Sequence, residues 1–240
     1  MSLLRRRLMS KKDEKSPGYI KDGLTLLLDG IQNTRSGHSS TTTLWEDLSG
    51  YKRDFQMVGS LLNDGTGYLF DRNINNYFVR SNDNLLSTRT FEIVFVYYDS
   101  TDAQCVISSN TSGDRNVQIY GNDRFAFTST IPTPRVVDAT PFHLAKKTLT
   151  IVKTSSDDYG RECETYYDAV KQINGSSEYS NTRFTYDILL GVTNDPASLS
   201  HGHYRPLNGK IYCVRAYDRE LTKNEIEHNQ LIDQERFGVI

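Results

Sequence analysis

The chain is poor in cysteine, tryptophan and proline: its 240 residues include three Cys, one Trp and six Pro. Cys105, Cys163 and Cys213 are odd in number and lack metal-ligand spacing, which argues against a disulfide scaffold or a zinc ribbon. Each stands in a strand-like stretch and reads as a buried, reduced thiol, suited to folding in a reducing cytoplasm. No run of about 20 apolar residues occurs, so no transmembrane helix is expected. The formal net charge is only −2, too little for a whole-chain pull toward nucleic acid or membrane. Common catalytic signatures are missing too: no G-x-S-x-G elbow, no G-x-x-x-x-G-K-[ST] phosphate loop, and no Cys with His in motif spacing. His201 and His203 flank Gly202 with no further Cys or His nearby, and read as a solvated or ligand-facing loop.

The charge that is present is unevenly placed. Residues 1–21 carry seven basic and two acidic side chains, a balance of +5, and the remainder carries −7. The segment does not read as a secretory leader, because arginines interrupt Leu3, Leu4, Leu8 and Met9. Leu4 and Leu8 are spaced i, i+4 and would share a helical face around Arg5, Arg6 and Arg7. Residues 1–21 are therefore read as a basic arm that docks on an acidic partner surface, and 22–240 as one domain. Three arginines without interleaved aromatics, ahead of an acidic body, leave too small a footprint for nucleic acid.

What the chain has in quantity is tyrosine (15) and phenylalanine (10), in short alternating runs that suit strands. Strands are expected at 24–28, 54–58, 67–71, 76–80, 90–98, 104–108, 116–120, 124–128, 142–153, 163–170, 186–192 and 208–217. Turn signals such as Asn63-Asp-Gly65 and Ile173-Asn-Gly175 separate several of them. Phe91, Ile93, Phe95 and Tyr97 line one face of 90–98, while Val94, Val96 and Tyr98 make the other face apolar, so this strand belongs mid-sheet. At 208–217, alternation sends Ile211, Cys213 and Arg215 one way and Tyr212, Val214 and Ala216 the other. A helix follows at once. Thr222 and Glu225 have capping-box spacing, and Leu221 and Ile226 have hydrophobic-staple spacing.

Gly209-Lys-Ile-Tyr-Cys-Val-Arg-Ala-Tyr-Asp-Arg-Glu-Leu-Thr-Lys-Asn-Glu-Ile226 resembles the close of a laminin-G-like, concanavalin A-like jelly-roll domain. Gly23–Asp29, Leu44-Trp-Glu-Asp-Leu-Ser-Gly50 and Phe91–Tyr97 resemble earlier landmarks of that family, in the same order. The resemblance implies an all-β, antiparallel two-sheet jelly-roll sandwich with one short C-terminal helix, preceded by an extended N-terminal arm.

The superfold includes glycoside hydrolases, whose E-x-D-x-E strand is missing here. Their retaining mechanism needs two carboxyls about 5–5.5 Å apart. The nearest approach is Glu162, Glu164 and Asp168, and a solvated strand face explains these acids more simply. The expectation is a binding module rather than an enzyme. Sugar recognition needs aromatic faces and planar polar groups. Trp45, Tyr51, Tyr68, Tyr77, Tyr159, Tyr179, His203 and Tyr204 lie in loop-rich stretches; Trp45 is expected to pack under its own turn. Tyr159, Tyr179, His203 and Tyr204 are the ligand-binding candidates. Some family members hold calcium, which implies Asp29 and Asp218 as ligands here. The arm and jelly roll together are similar to small virion proteins of tailed phages of gut bacteria. That similarity implies docking on other virion proteins through residues 1–21, host glycans as ligands, and a protein folded in the host cytoplasm. Alternatives are a carbohydrate-active enzyme using Glu162, Glu164 and Asp168, or a bacterial adhesin-like lectin of the cytoplasm or cell surface. Sheet edges and Tyr-rich loops permit a homo-oligomer.

Overall fold

A computed structural model describes residues 18–81, 88–99, 104–109, 116–120, 124–128, 135–138, 144–154, 163–172, 187–192 and 206–239. Among these residues two eight-stranded sheets are present, with antiparallel pairings throughout. In the first, β14 (Val170–Lys171), β13 (Cys163–Tyr167), β12 (Lys147–Lys153), β7 (Thr90–Tyr97), β16 (Gly209–Tyr217), β5 (Tyr68–Phe70) and β4 (Leu62–Asn63) lie in that order, and β1 (Leu24–Asp29) also pairs with β16. The second runs β11 (Arg135–Asp138), β10 (Arg124–Thr128), β9 (Asn116–Tyr120), β8 (Gln104–Ser109), β15 (Ile188–Leu190), β6 (Tyr77–Arg80), β3 (Phe55–Val58) and β2 (Leu44–Trp45). One helix, α1 (Lys223–Phe237), follows β16.

The alternation of β7 builds two cores at once. Phe91, Ile93, Phe95 and Tyr97 enter the layer between the sheets with Phe55, Phe78, Ile107, Ile188 and Leu190. Val94 and Val96 face the other way and pack with Ile226, Ile232 and Phe237 of α1. Each large apolar side chain buried this way contributes roughly 1.5–3 kcal/mol. Trp45 is fully buried between Tyr68 and Phe78, with ring centroids 4.7 and 5.3 Å away. Its indole Nε1–H donates to the Asp29 carbonyl at 3.0 Å, so the ring packs under its own turn.

The strand β16 departs from simple alternation. A bulge between Ile211 and Cys213 inserts one unpaired residue, Tyr212, into the ladder with β7. Ile211, Val214 and Ala216 consequently point between the sheets, while Tyr212, Cys213, Arg215 and Tyr217 point toward α1. Ile211 therefore lies opposite Cys213 and Arg215, not beside them. The same strand accepts two partners end to end on one flank. Its residues 209–211 pair with β5, and 213–217 pair with β1. Where these two strands abut, a Cβ on Gly67 would come within 2.5 Å of the Ile211 carbonyl oxygen, and one on Gly30 within 2.5 Å of the Gly67 Cα. Only glycine permits that approach.

The stretch expected as one strand over 163–170 is a hairpin. β13 turns into β14 through Asp168 and Ala169, with φ of 49° and 63°. Both lie in the left-handed region that a two-residue hairpin loop needs, but neither is the glycine that would announce it. The helix matches its sequence signals. Thr222 accepts from the Glu225 amide and Glu225 caps the Thr222 amide in return, while Gly238 closes the helix at φ 67°.

Residues 18–21, read from sequence as part of the arm, belong to the folded body. Tyr19 is 2 % exposed and packs in the layer under α1. The Ile20 amide donates to Asn229 Oδ1 at 3.1 Å, and the His228 Nε2 lies 3.0 Å from the Gly18 carbonyl oxygen. The arm candidates Leu4, Arg5, Arg6, Arg7 and Leu8 lie outside the described residues.

Candidate functional site

The densest set of ionisable groups among the described residues is on the first sheet's outer face, beneath α1. Side chains of β7 and β16 that point away from the sandwich place Glu92 and Arg215 side by side, at paired positions of the ladder. The helix adds Asn229 and Asp233, one turn apart on its inward face. All four are buried to within 1 %. Arg215 Nε donates to Glu92 at 2.8 Å; its Nη1 and Nη2 donate to the two Asp233 oxygens at 2.6 and 2.7 Å, a bidentate pairing. Asp233 also accepts from the Tyr19 hydroxyl at 2.8 Å and the Thr148 hydroxyl at 3.0 Å. Glu92 accepts from Thr150 at 3.1 Å and from Asn229 at 2.7 Å. The Tyr19 ring closes the stack, 4.1 Å from the guanidinium carbon.

Electrostatics here reflect sealing from water. Burial pushes the Glu92 carboxyl above its ordinary range, and Arg215 pulls it partly back. The two carboxylates hold Arg215 firmly protonated despite its burial. Burial pushes the Cys213 thiol up, and Cys105 is buried with its Sγ 3.3 Å from the Ile107 carbonyl oxygen, so both thiols are closed off from solvent. The Cys163 side chain lies outside the described residues. With no exposed atom, this cluster cannot meet a substrate. It ties β7, β12, β16, α1 and the N-terminal segment together.

Sequence reading placed Arg215 as one position of an alternating strand and did not single out Glu92 as a site residue. A usable signal was present in α1: Ile226, Asn229, Gln230, Asp233 and Phe237 recur at helical spacing on one face, and three of the five are polar. Polar side chains at core positions require partners, and an arginine on the preceding strand is the natural one.

The other candidates divide as follows. Tyr159, Tyr179, His203 and Tyr204 lie outside the described residues, as does Glu162. Glu164 receives the Tyr166 hydroxyl at 2.5 Å and Lys171 Nζ at 2.6 Å, and these partners lower its pKa. The Tyr166 hydroxyl is pushed up to about 12 by burial and by Glu164. Asp168 is past the end of the strand, in the hairpin turn, holding Lys147 at 2.6 Å and the Thr148 amide at 2.9 Å. Glu164 is held by Lys171 of β14 and Asp168 by Lys147 of β12, so the two carboxylates are committed to different ion pairs.

The calcium expectation fails on geometry. Asp29 and Asp218 sit at opposite ends of the β1–β16 ladder: Asp29 pairs with Cys213, while the Asp218 amide donates to the Gly23 carbonyl. Asp29 is fully buried; its Oδ1 accepts from the Ile31 and Gln32 amides, and its Oδ2 from Arg236 at 2.6 Å. Its oxygens serve a turn and an ion pair. Among the described residues no group of three or more His, Cys, Asp or Glu could hold a metal ion.

Of the loop aromatics, Trp45 and Tyr68 are core, Tyr77 is half-buried and Tyr51 is 58 % exposed. Tyr51 stands in a loop over residues 46–54 that shields β1. The Leu48 amide donates to the Leu27 carbonyl at 2.8 Å, Asp47 accepts the Leu27 amide at 2.9 Å, and Arg53 donates to the Thr25 carbonyl at 3.2 Å. The Leu27 amide and carbonyl and the Thr25 carbonyl of β1 are thereby paired on the side away from β16.

No protein-family model matches the chain, and no curated protein matches it. Solved structures do. A mutant of Trypanosoma rangeli sialidase displaying trans-sialidase activity superposes at TM-score 0.63 and 15 % identity, over 91 % of this chain and 34 % of that one. The binding domain of botulinum neurotoxin DC, solved with rat synaptotagmin II, superposes at 0.62 and 14 %, over 88 % and 52 %. The same toxin's binding domain solved with SialylT gives 0.60 and 13 %, over 88 % and 52 %. The chain thus spans about a third of the sialidase and half of the toxin domain. Together with the two sheets and the terminal helix, these likenesses establish the fold as a lectin-like, antiparallel β-sandwich of the jelly-roll kind.

Proposed function

We propose that this protein is a non-enzymatic binding module: a lectin-like sandwich that recognises glycans through its loops and docks through its basic N-terminal arm. The observation that carries this reading is the fate of the ionisable groups. Glu92, Arg215 and Asp233 are closed beneath α1, and Glu164 and Asp168 are held by their own neighbours. Among the described residues the carboxylates that sequence offered for hydrolysis have structural partners. The superposed sialidase and toxin binding domains, one of them solved with SialylT, support glycan as the ligand class.

The arm supports a docking role. Residues 1–17 carry six basic and two acidic groups ahead of an acidic body, and residues 18–21, to which they connect, are clamped on α1. The assembly proposed for it is a phage virion, in capsid, tail or fibre, with the glycan on the host surface. Two experiments test the parts separately. On a glycan array the intact chain should bind at least one saccharide class; binding to none overturns the lectin reading. A variant beginning at Gly18 should fold normally yet fail to co-purify with virions; retained incorporation overturns docking through the arm.

A further inference from the structure

The loop that shields β1 has a tip, Tyr51 and Lys52, that the shielding does not use; Arg53 beside it reaches the Thr25 carbonyl of β1. Asp47 anchors its two ends: Oδ1 accepts from the Leu27 and Ser49 amides, each at 2.9 Å, and Oδ2 from the Ser49 hydroxyl at 2.8 Å and the Arg53 amide at 3.0 Å. Between these anchors Gly50 adopts φ 101° and Lys52 adopts φ 58°, the latter a left-handed conformation at a non-glycine residue. Such conformations persist where surroundings enforce them, and they cluster at ligand clamps. The rigid tip pushes Tyr51 into solvent, and the Arg53 guanidinium stands 5.2 Å from its ring centroid. Lys52 is exposed and makes no ion pair among the described residues. The nearby acids are engaged: Arg35 pairs with Glu46 and Asp54, and Asp47 is fully buried.

We infer that Tyr51, Lys52 and Arg53 form a recognition tip for a carboxylated pyranose. The Tyr51 ring offers a flat face for the apolar side of the sugar ring. Lys52 supplies a charge for the carboxylate, and Arg53 reinforces the positive field beside the ring. Because Asp47 already orders the loop, little conformational freedom is lost on binding, which favours affinity. The inference rests on the glycan-binding reading above and assigns it a site and a ligand class.

The test uses the intact chain and three probes: the methyl glycosides of glucuronic acid, N-acetylneuraminic acid and glucose, titrated by NMR. At least one acidic glycoside should bind, and bind more tightly than methyl glucoside. Tyr51→Ala and Lys52→Gly should each weaken it by about tenfold or more. Glycine suits the Lys52 backbone, so the melting temperature of Lys52→Gly should hold or rise, which separates lost binding from lost folding. If both variants bind the acidic probe as tightly as the native chain, or if only glucose binds, the tip assignment is overturned while glycan binding stands. If no saccharide binds here or on the array, both are overturned.

Discussion

Arg215 is the residue whose removal should be felt most. It is fully buried between two carboxylates, and desolvation offsets much of what their attraction provides. Losing the cation alone leaves Glu92 and Asp233 facing each other in a dry layer. Arg215→Met is therefore expected to cost about 3–5 kcal/mol at neutral pH by urea denaturation. The deficit has a defined pH dependence. Burial already raises the Glu92 pKa and Arg215 holds it down, so in the variant the folded value rises further above the unfolded one. A carboxyl raised in the folded state contributes stability below its unfolded pKa, which is lost as pH rises through the folded value. The variant should thus recover part of its deficit between pH 7 and pH 5; an unchanged deficit would show that Glu92 does not carry the charge penalty. Glu225 works in the opposite sense. Its hydrogen bonds with Arg219 lead the causes that lower its pKa to about 2, so its contribution is present above the ordinary 4.5 and is lost as pH falls from 4.5 toward 2. Glu225→Gln should flatten the stability profile in that acid window and cost roughly 0.2–1 kcal/mol above it through the lost ion pair with Arg219, since glutamine can still cap the Thr222 amide.

At the scale of elements, the loop over residues 46–54 does the work of a neighbouring strand for β1. Asp47→Ala removes four hydrogen bonds at once, three of them from backbone amides, including that of Leu27 in β1. We expect a loss of about 3 kcal/mol together with concentration-dependent association, read by melting and light scattering. A monomer of native stability would show that the loop does not protect β1. Much of this level was legible in the sequence. The doubly apolar run 91–97 marked a central strand, and Thr222 with Glu225 marked where α1 begins. The departures have local causes that binary patterning does not record. The bulge at Tyr212 reverses the alternation of β16, and Asp168-Ala169 turns a hairpin with no glycine to signal it. The inward face of α1 is polar because it answers Arg215, so it cannot be found as an apolar stripe. Asp29 and Asp218 flank strands that do pair, but at opposite ends of the ladder, a fact set by antiparallel register.

For the molecule as a whole, residues 18–21 belong to the lectin-like body. Tyr19 closes the Arg215 layer, so the body begins no later than Gly18. Starting the chain at Gly18 should preserve the melting temperature. Starting it at Asp22 should lower it by several degrees, since Tyr19 and its contacts with Asp233 and Arg215 are then gone. Equal melting of the two would show that residues 18–21 are not part of the body. The central claim is binding without turnover, and the most direct measurement follows labelled glycans through contact with the intact chain by mass spectrometry. The prediction is reversible retention of at least one acidic glycan, returned with unchanged mass. Release of a cleaved or transferred sugar would contradict it.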